Sequence, residues 1–129
     1  MNKVVLFIFL SLLSIYSFAG EVRLQDGGLV IVAKYESNSV QKSKNSNFLY
    51  GEIQITNNSL TPMSYGNSNL LLSIDDIKSK TYLDTIASAT IDFSSITLQS
   101  FETKKLNVYW AFRLSVSTKD KTAALLWSE

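Results

Sequence analysis

The 129-residue chain has no cysteine, no histidine, a single proline and only five glycines. Each scarcity closes off a class of chemistry. Without cysteine there is no disulfide, no thiolate nucleophile and no cysteine-linked lipid anchor. Without histidine, neither a Ser-His-Asp nor a Cys-His arrangement can be assembled. A zinc site would have to use carboxylates alone, against the usual preference for thiolate and imidazole ligands. No glycine-rich phosphate loop occurs. Charge of one sign is also missing: twelve Lys and Arg stand against eleven Asp and Glu. The small clusters Lys42-Ser43-Lys44, Lys104-Lys105 and Lys119-Asp120-Lys121 read as solvated surface. A nucleic-acid partner is not expected, because phosphate neutralisation needs a basic stripe.

What is present begins with an export signal. Lys3 supplies a basic start, and residues 4–13 form an apolar run broken only by Ser11. Ser17 and Ala19 then place small residues two apart, as a leader cleavage site requires. The expected cut follows Ala19, which makes residues 1–19 a secretory signal and residues 20–129 one mature domain. The apolar run is too short for a spanning helix, which takes ~20 residues, and no second stretch of that length follows. Losing Lys3 with the leader leaves the mature domain formally neutral. A small exported domain with no disulfides fits a bacterial periplasmic or secreted protein better than a eukaryotic secreted scaffold. Its core must hold it without a cross-link.

The mature chain carries the periodicity of strands. Leu106, Val108, Trp110, Phe112 and Leu114 alternate with Asn107, Tyr109, Ala111 and Arg113, a period of two with one apolar face. Leu49, Gly51, Ile53 and Ile55 alternate in the same way with Tyr50, Glu52, Gln54 and Thr56. Residues 29–35 are rich in β-branched side chains and suit a strand covered on both faces. Shorter strands are expected at 22–24, 70–74, 81–83 and 123–127, while 91–93 and 96–98 form a broken stretch. Residues 77–86 lack helical spacing. Turns separate these runs: Asp26-Gly27-Gly28 predicts a tight hairpin, and Asn57-Asn58-Ser59, Pro62 and Gly66-Asn67 break the chain further on. Asn57-Asn58-Ser59 also matches the N-glycosylation pattern, but a turn accounts for it. The polar stretch 37–47 is expected to be a mobile loop. About seven short strands predict an all-β antiparallel sandwich, with Trp110 in its core and Trp127 capping it.

The run Gly51-Glu52-Ile53-Gln54-Ile55-Thr56-Asn57-Asn58-Ser59, with Pro62 soon after, resembles immunoglobulin-like domains of bacterial exported proteins. Ile96-Thr97-Leu98-Gln99-Ser100-Phe101-Glu102 and the strand that follows echo the later part of that pattern, with Ser100-Phe101 where Pro-Gly is usual. The resemblance implies an immunoglobulin-like fold and an extracytoplasmic role, and it implies no activity.

The candidate binding residues are Tyr50, Gln54, Tyr109 and Arg113. They fall on the outward sets of the two clearest strands and share one sheet face if those strands pair. Tyrosine joins apolar area to a hydroxyl, a combination enriched at interaction surfaces. Asp75, Asp76, Asp84 and Asp92 could gather at one end of the sandwich around calcium, but Asp75-Asp76 reads better as a solubilising turn. No catalytic set, cofactor or metal is expected. The functional expectation is a non-enzymatic binding or accessory module of the cell envelope, its partner a protein or an envelope glycan. The alternatives are a surface-assembly subunit that pairs through an edge strand, or an enzyme inhibitor acting through the 37–47 segment.

Overall fold

The computed structural model describes residues 18–65, 70–84 and 96–128. The apolar run 4–13, the Gly66-Asn67 break, residues 91–93 and Asp92 lie outside them. Ten strands follow one another among the described residues: β1 (Gly20–Asp26), β2 (Leu29–Tyr35), β3 (Val40–Ser43), β4 (Ser46–Asn57), β5 (Met63–Tyr65), β6 (Leu70–Ile74), β7 (Ile77–Leu83), β8 (Ile96–Leu98), β9 (Thr103–Phe112) and β10 (Ala123–Trp127). No helix occurs among the described residues.

All strand pairing among the described residues is antiparallel. The ladder runs β1-β2-β4-β9-β7-β6-β10, β3 adds to β4 beyond the end of β2, and β5 and β8 form a separate ribbon. The sequence predicts about seven strands in two layers. Instead, one eight-stranded sheet curls until β1 lies beside β10, nearly closing a barrel. The cause is β7, which belongs to both sides. Its C-terminal half pairs with β9 from Thr81↔Trp110 to Leu83↔Val108, and its N-terminal half pairs with β6 from Ile74↔Ile77 to Leu71↔Lys80.

Local chemistry makes the corners. Gly27 (φ 59°) occupies the first central position of the β1–β2 hairpin, where glycine reaches positive φ without steric cost. Asp75 and Asp76 (φ 48° and 69°) form the two-residue β6–β7 turn, and Asp is among the few side chains that tolerate this region. The 37–47 stretch is not a mobile loop. Val40 and Gln41 pair with Phe48 and Asn47, and Ser43 pairs with Ser46 around a tight turn. The segment is further tied down by the Ser39 and Val116 backbones and by Thr118 N–H donating to Ser37 O. Polar composition concealed a strand here because β3 is exposed along its whole length and needs no alternation. Leu114, placed on the inward set by periodicity, is 76% exposed. β9 ends at Phe112, where its partner β4 is about to begin, so the alternation outlasts the sheet.

Inside, Leu29, Ile31 and Ala33 of β2, Leu49, Ile53 and Ile55 of β4, Leu70 and Leu72 of β6, and Val108, Trp110 and Phe112 of β9 form the core. Trp127 is half-buried against it, as a cap. Trp110 is fully buried, and its ring lies across Gly51. A Cβ at Gly51 would meet the indole Cζ3 at 2.6 Å and would collide with the Lys34 carbonyl. Glycine in mid-strand thus makes room for the largest ring of the core. The indole Nε1 donates to Thr81 Oγ1 at 2.8 Å, and that hydroxyl donates to Leu70 O at 2.9 Å. One buried polar relay therefore joins β9, β7 and β6.

A second buried polar group closes one end. Asn57 is fully buried. Its Nδ2 donates to Thr61 O, Leu98 O and Gln99 O, and its Oδ1 accepts from Ser59 N and Ser59 Oγ. The amide is consumed by the turn, so in the folded protein it is not open to glycosylation. The adjoining turn Gln99-Ser100-Phe101-Glu102 closes through Glu102 N–H donating to Gln99 O at 3.0 Å. Its third residue, Phe101, has φ 61° and is 63% exposed. That is the glycine position of a type II turn, occupied by a bulky ring.

Three substitutions test this account by urea unfolding of the mature domain. Gly51→Ala is expected to destabilise by about 2 kcal/mol or more, from overpacking against backbone and indole. Thr81→Val keeps the volume but removes the acceptor of the Trp110 N–H, and should cost about 1–3 kcal/mol. In contrast, Phe101→Gly is expected to raise stability by about 0.5–1 kcal/mol, since relief of left-handed strain outweighs the added chain entropy. An unchanged midpoint for the first two would remove Trp110 from its central place.

Candidate binding face

The pairing of β4 with β9 puts Tyr50 directly opposite Tyr109, and the pairing of β7 with β9 puts Tyr82 opposite Tyr109 on the other side. Three tyrosines therefore stand in one row across three adjacent strands, on the outer face of the sheet. Two strand spacings make the row about 10 Å wide. Phe48, two residues before Tyr50 on the same face, stacks on Tyr109 with ring centroids 4.2 Å apart and planes 20° apart. Tyr82 stacks on the same ring at 5.4 Å and 22°. Tyr50 tilts against Tyr109 at 6.2 Å and meets Phe48 edge-on at 6.2 Å. Offset and edge-on arrangements of this kind contribute beyond simple burial.

Lys42 of β3 reaches over the row. Its Nζ lies 5.3 Å from the Tyr50 centroid and 5.9 Å from that of Phe48, within cation–π range. Hydrogen bonding with the Tyr50 hydroxyl, supported more distantly by the Asp84 carboxylate, holds the Lys42 ammonium above its ordinary pKa. The side chain is fully exposed, so its role is positional. It keeps a cation at the edge of the rings throughout the neutral range.

Of the four residues expected from sequence, the structure brings together Tyr50 and Tyr109. Tyr109 is only 6% exposed. It was expected at the surface, but rings from both flanking strands close over it, and it serves as the floor on which the others stack. Gln54 shares the face and lies opposite Lys105, four residues along β4 from Tyr50, or about 13 Å. It borders the row without touching the rings. Arg113 falls outside the row altogether. It lies beyond the end of β9, with its carbonyl accepting from Asn47 Nδ2 at 3.2 Å. Phe48, Tyr82 and Lys42 were missed. The alternation that exposes Tyr50 also exposes Phe48, so that ring was legible. Tyr82 depends on a pairing between distant strands, and Lys42 belongs to a segment expected to be loop.

The acidic residues do not converge. Asp75 is spent on the β6–β7 corner: its N–H donates to Thr122 O, its Oδ1 accepts from Thr122 N–H, and Oδ2 lies 3.7 Å from Lys121 Nζ. Asp84 follows the far end of β7, and Asp92 is outside the described residues. Among those residues, no group of three potential ligands is placed to hold a metal ion, and no helix is long and apolar enough to cross a membrane.

The ring row separates floor from rim. Tyr109→Ala is expected to cost about 3 kcal/mol or more, as truncation of a buried aromatic does. Tyr50→Ala, at the half-buried rim, should cost about 1 kcal/mol. Equal losses in chemical denaturation would contradict the layered arrangement.

Comparison of the chain with family models, with curated proteins and with solved structures finds no match.

Proposed function

We propose that this protein is a non-enzymatic binding module of the bacterial cell envelope, exported with a leader that is removed after Ala19, and that the outer face of β4, β9 and β7 is its recognition surface. One observation carries the reading: Tyr50, Tyr109 and Tyr82 stand directly opposite one another on three adjacent strands, with Phe48 stacked on them. Around the rings, β4 and β9 turn polar residues such as Glu52, Gln54, Lys105 and Asn107 to the same face. A row of preassembled rings offers a flat apolar platform whose side chains lose little conformational freedom on binding.

The ligand that suits this platform best is an envelope glycan. The carbon-bound hydrogens of a sugar ring form an apolar face that packs on aromatic rings, and its hydroxyls need donors and acceptors at the margin. Lys42, Glu52, Gln54 and Asn107 border the rings on the same face and supply both. A protein partner is the competing reading, and it too would use the rings as anchors.

Export rests on the leader pattern of residues 1–19. Gly20, the first residue after the proposed cut, is also the first of β1 and lies opposite Tyr35 of β2. Kinship with immunoglobulin-like exported domains is part of the proposal. It is supported by the central pairing of the two long alternating strands, the Asn57 turn, and the Ser100-Phe101 turn with its positive φ at the glycine position. The edge-pairing alternative is weakened because β1 and β10 lie beside each other and shield one another's edges. The inhibitor alternative loses its free loop, since 37–47 is strand β3 and its turn.

The test is retention on envelope glycan. Processed protein, its mass checked for a start at Gly20, is passed over immobilised cell-wall polysaccharide beside the Tyr50→Ala/Tyr82→Ala variant. The wild type should be retained and the variant should elute at least tenfold more readily while keeping its fold. Equal behaviour of the two removes the face from the proposal, and retention on envelope protein alone selects the competing partner.

A further inference from the structure

The handover of β7 from β9 to β6 leaves a split in the sheet. The β7–β9 ladder starts only at Thr81↔Trp110. On the near side of that pair, β7 turns away to β6, while β9 runs on through Ala111 and Phe112 into the segment 113–116. The gap is spanned at one point, where Ser79 Oγ donates to Ala111 O at 2.7 Å. Beyond it opens a cavity of about 320 Å³, lined by Ile77, Ala111, Phe112, Leu114 and Val116, with Lys78 and Arg113 at its rim. Ile77 and Leu114 are 59% and 76% exposed there. On the other side of segment 113–115 lies a second depression of about 300 Å³. It is polar, with Ser39, Gln41, Lys44 and Asn47 facing Arg113. The two hollows share Arg113, Leu114 and Ser115 as a common ridge.

Three cations, Lys44, Lys78 and Arg113, thus surround an apolar hollow and its polar neighbour. Neither lining contains a carboxylate. Among the described residues none of the three forms an ion pair, the single bridge being Lys121 with Asp75. Charge and shape together call for a ligand with an anionic head and an apolar tail. The backbone says what kind of tail. Ala111 O is taken by Ser79, Arg113 O by Asn47, and both N–H and C=O of Val116 by Ser39. Those positions are therefore not free to hold an extended peptide by strand addition. An acyl chain makes no such demand.

We propose that the sheet split is a binding site for a single-chain fatty-acid anion, with its carboxylate on the Arg113 and Lys44 side of the ridge and its chain in the hollow between Ile77, Phe112, Leu114 and Val116. The volume lies at the small end of ligand pockets, which suits one chain and not a two-chain lipid. Arg113 can grip a carboxylate with two parallel N–H groups. The site is separate from the ring row and does not depend on the glycan reading.

The experiment is calorimetric titration of the processed protein with decanoate below its micellar concentration, beside 1-decanol, acetate and a hexapeptide with an apolar C-terminal residue. Decanoate is expected to bind with one site per chain, and acetate and decanol at least tenfold more weakly. The variant Arg113→Gln/Lys44→Gln should lose at least tenfold in decanoate affinity. Leu114→Glu, at an exposed position where folding is not at risk, should abolish binding. Backbone amide shifts on titration should fall at residues 77–78 and 111–116. The proposal is overturned if decanoate does not bind, if Leu114→Glu binds it as tightly as wild type, if the shifts fall on the Tyr50 face, or if the hexapeptide binds in preference to decanoate.

Discussion

Trp110 can be buried in the interior only because Gly51, on the neighbouring strand β4, has no side chain, and because Thr81, on the other neighbour β7, accepts its N–H. The first condition lets β4 and β9 approach with the largest ring of the core between them. The second ties β7 to β9 at the place where their ladder begins, and the same hydroxyl passes the connection on to Leu70 of β6. In a domain without disulfides the core must supply all the specificity of pairing, and a buried polar relay does what apolar contacts cannot. It accepts one geometry and penalises the rest, since an unpaired buried N–H costs about 1–3 kcal/mol.

Both candidate sites descend from that arrangement. Holding β7 against β9 at Thr81 sets Tyr82 opposite Tyr109 and completes the row of rings on the outer face. Turning β7 away to β6 on the other side of Thr81 opens the split that exposes Ile77 and Leu114. One strand serving two halves of the sheet creates a platform where it is paired and a hollow where it is not. The two are chemically distinct: the platform is aromatic with a mixed polar margin, and the hollow is apolar with Lys78 and Arg113 at its rim and Lys44 in the polar depression beside it.

Strain is placed at the ends. Asp75, Asp76, Phe101 and Asp120 all have positive φ. For Asp, the short polar side chain makes this cheap, and Asp75 bonds to the Thr122 backbone in return. Phe101 has no such compensation in its own side chain. It is held by its neighbours: Glu102 carboxylate accepts from Gln99 N–H, Ser100 Oγ donates to Ser59 O, and Asn57 gathers Leu98 and Gln99 from below. The cluster over-determines the turn, which is how a bulky residue persists in a conformation suited to glycine.

Much of the fold was legible in the residues themselves. Period-two alternation is a property of neighbours along the chain, so β4 and β9, their inward sets, the Gly27 hairpin, the Asp75-Asp76 turn and the burial of Trp110 could all be read locally. Tyr50 and Tyr109 could be placed on one side of their strands for the same reason. Partner choice was another matter. Which strands lie beside β9 depends on contacts between residues from about 25 to 65 positions apart, and no short-range pattern records them. Tertiary structure alone therefore decided that Tyr82 joins the row, that rings close over Tyr109, that the polar 37–47 segment pairs as β3, that Arg113 leaves the face for the hollow, and that eight of the strands form one curled sheet. Side-chain alternation specifies a face for each strand, and only packing around Trp110 specifies its neighbours.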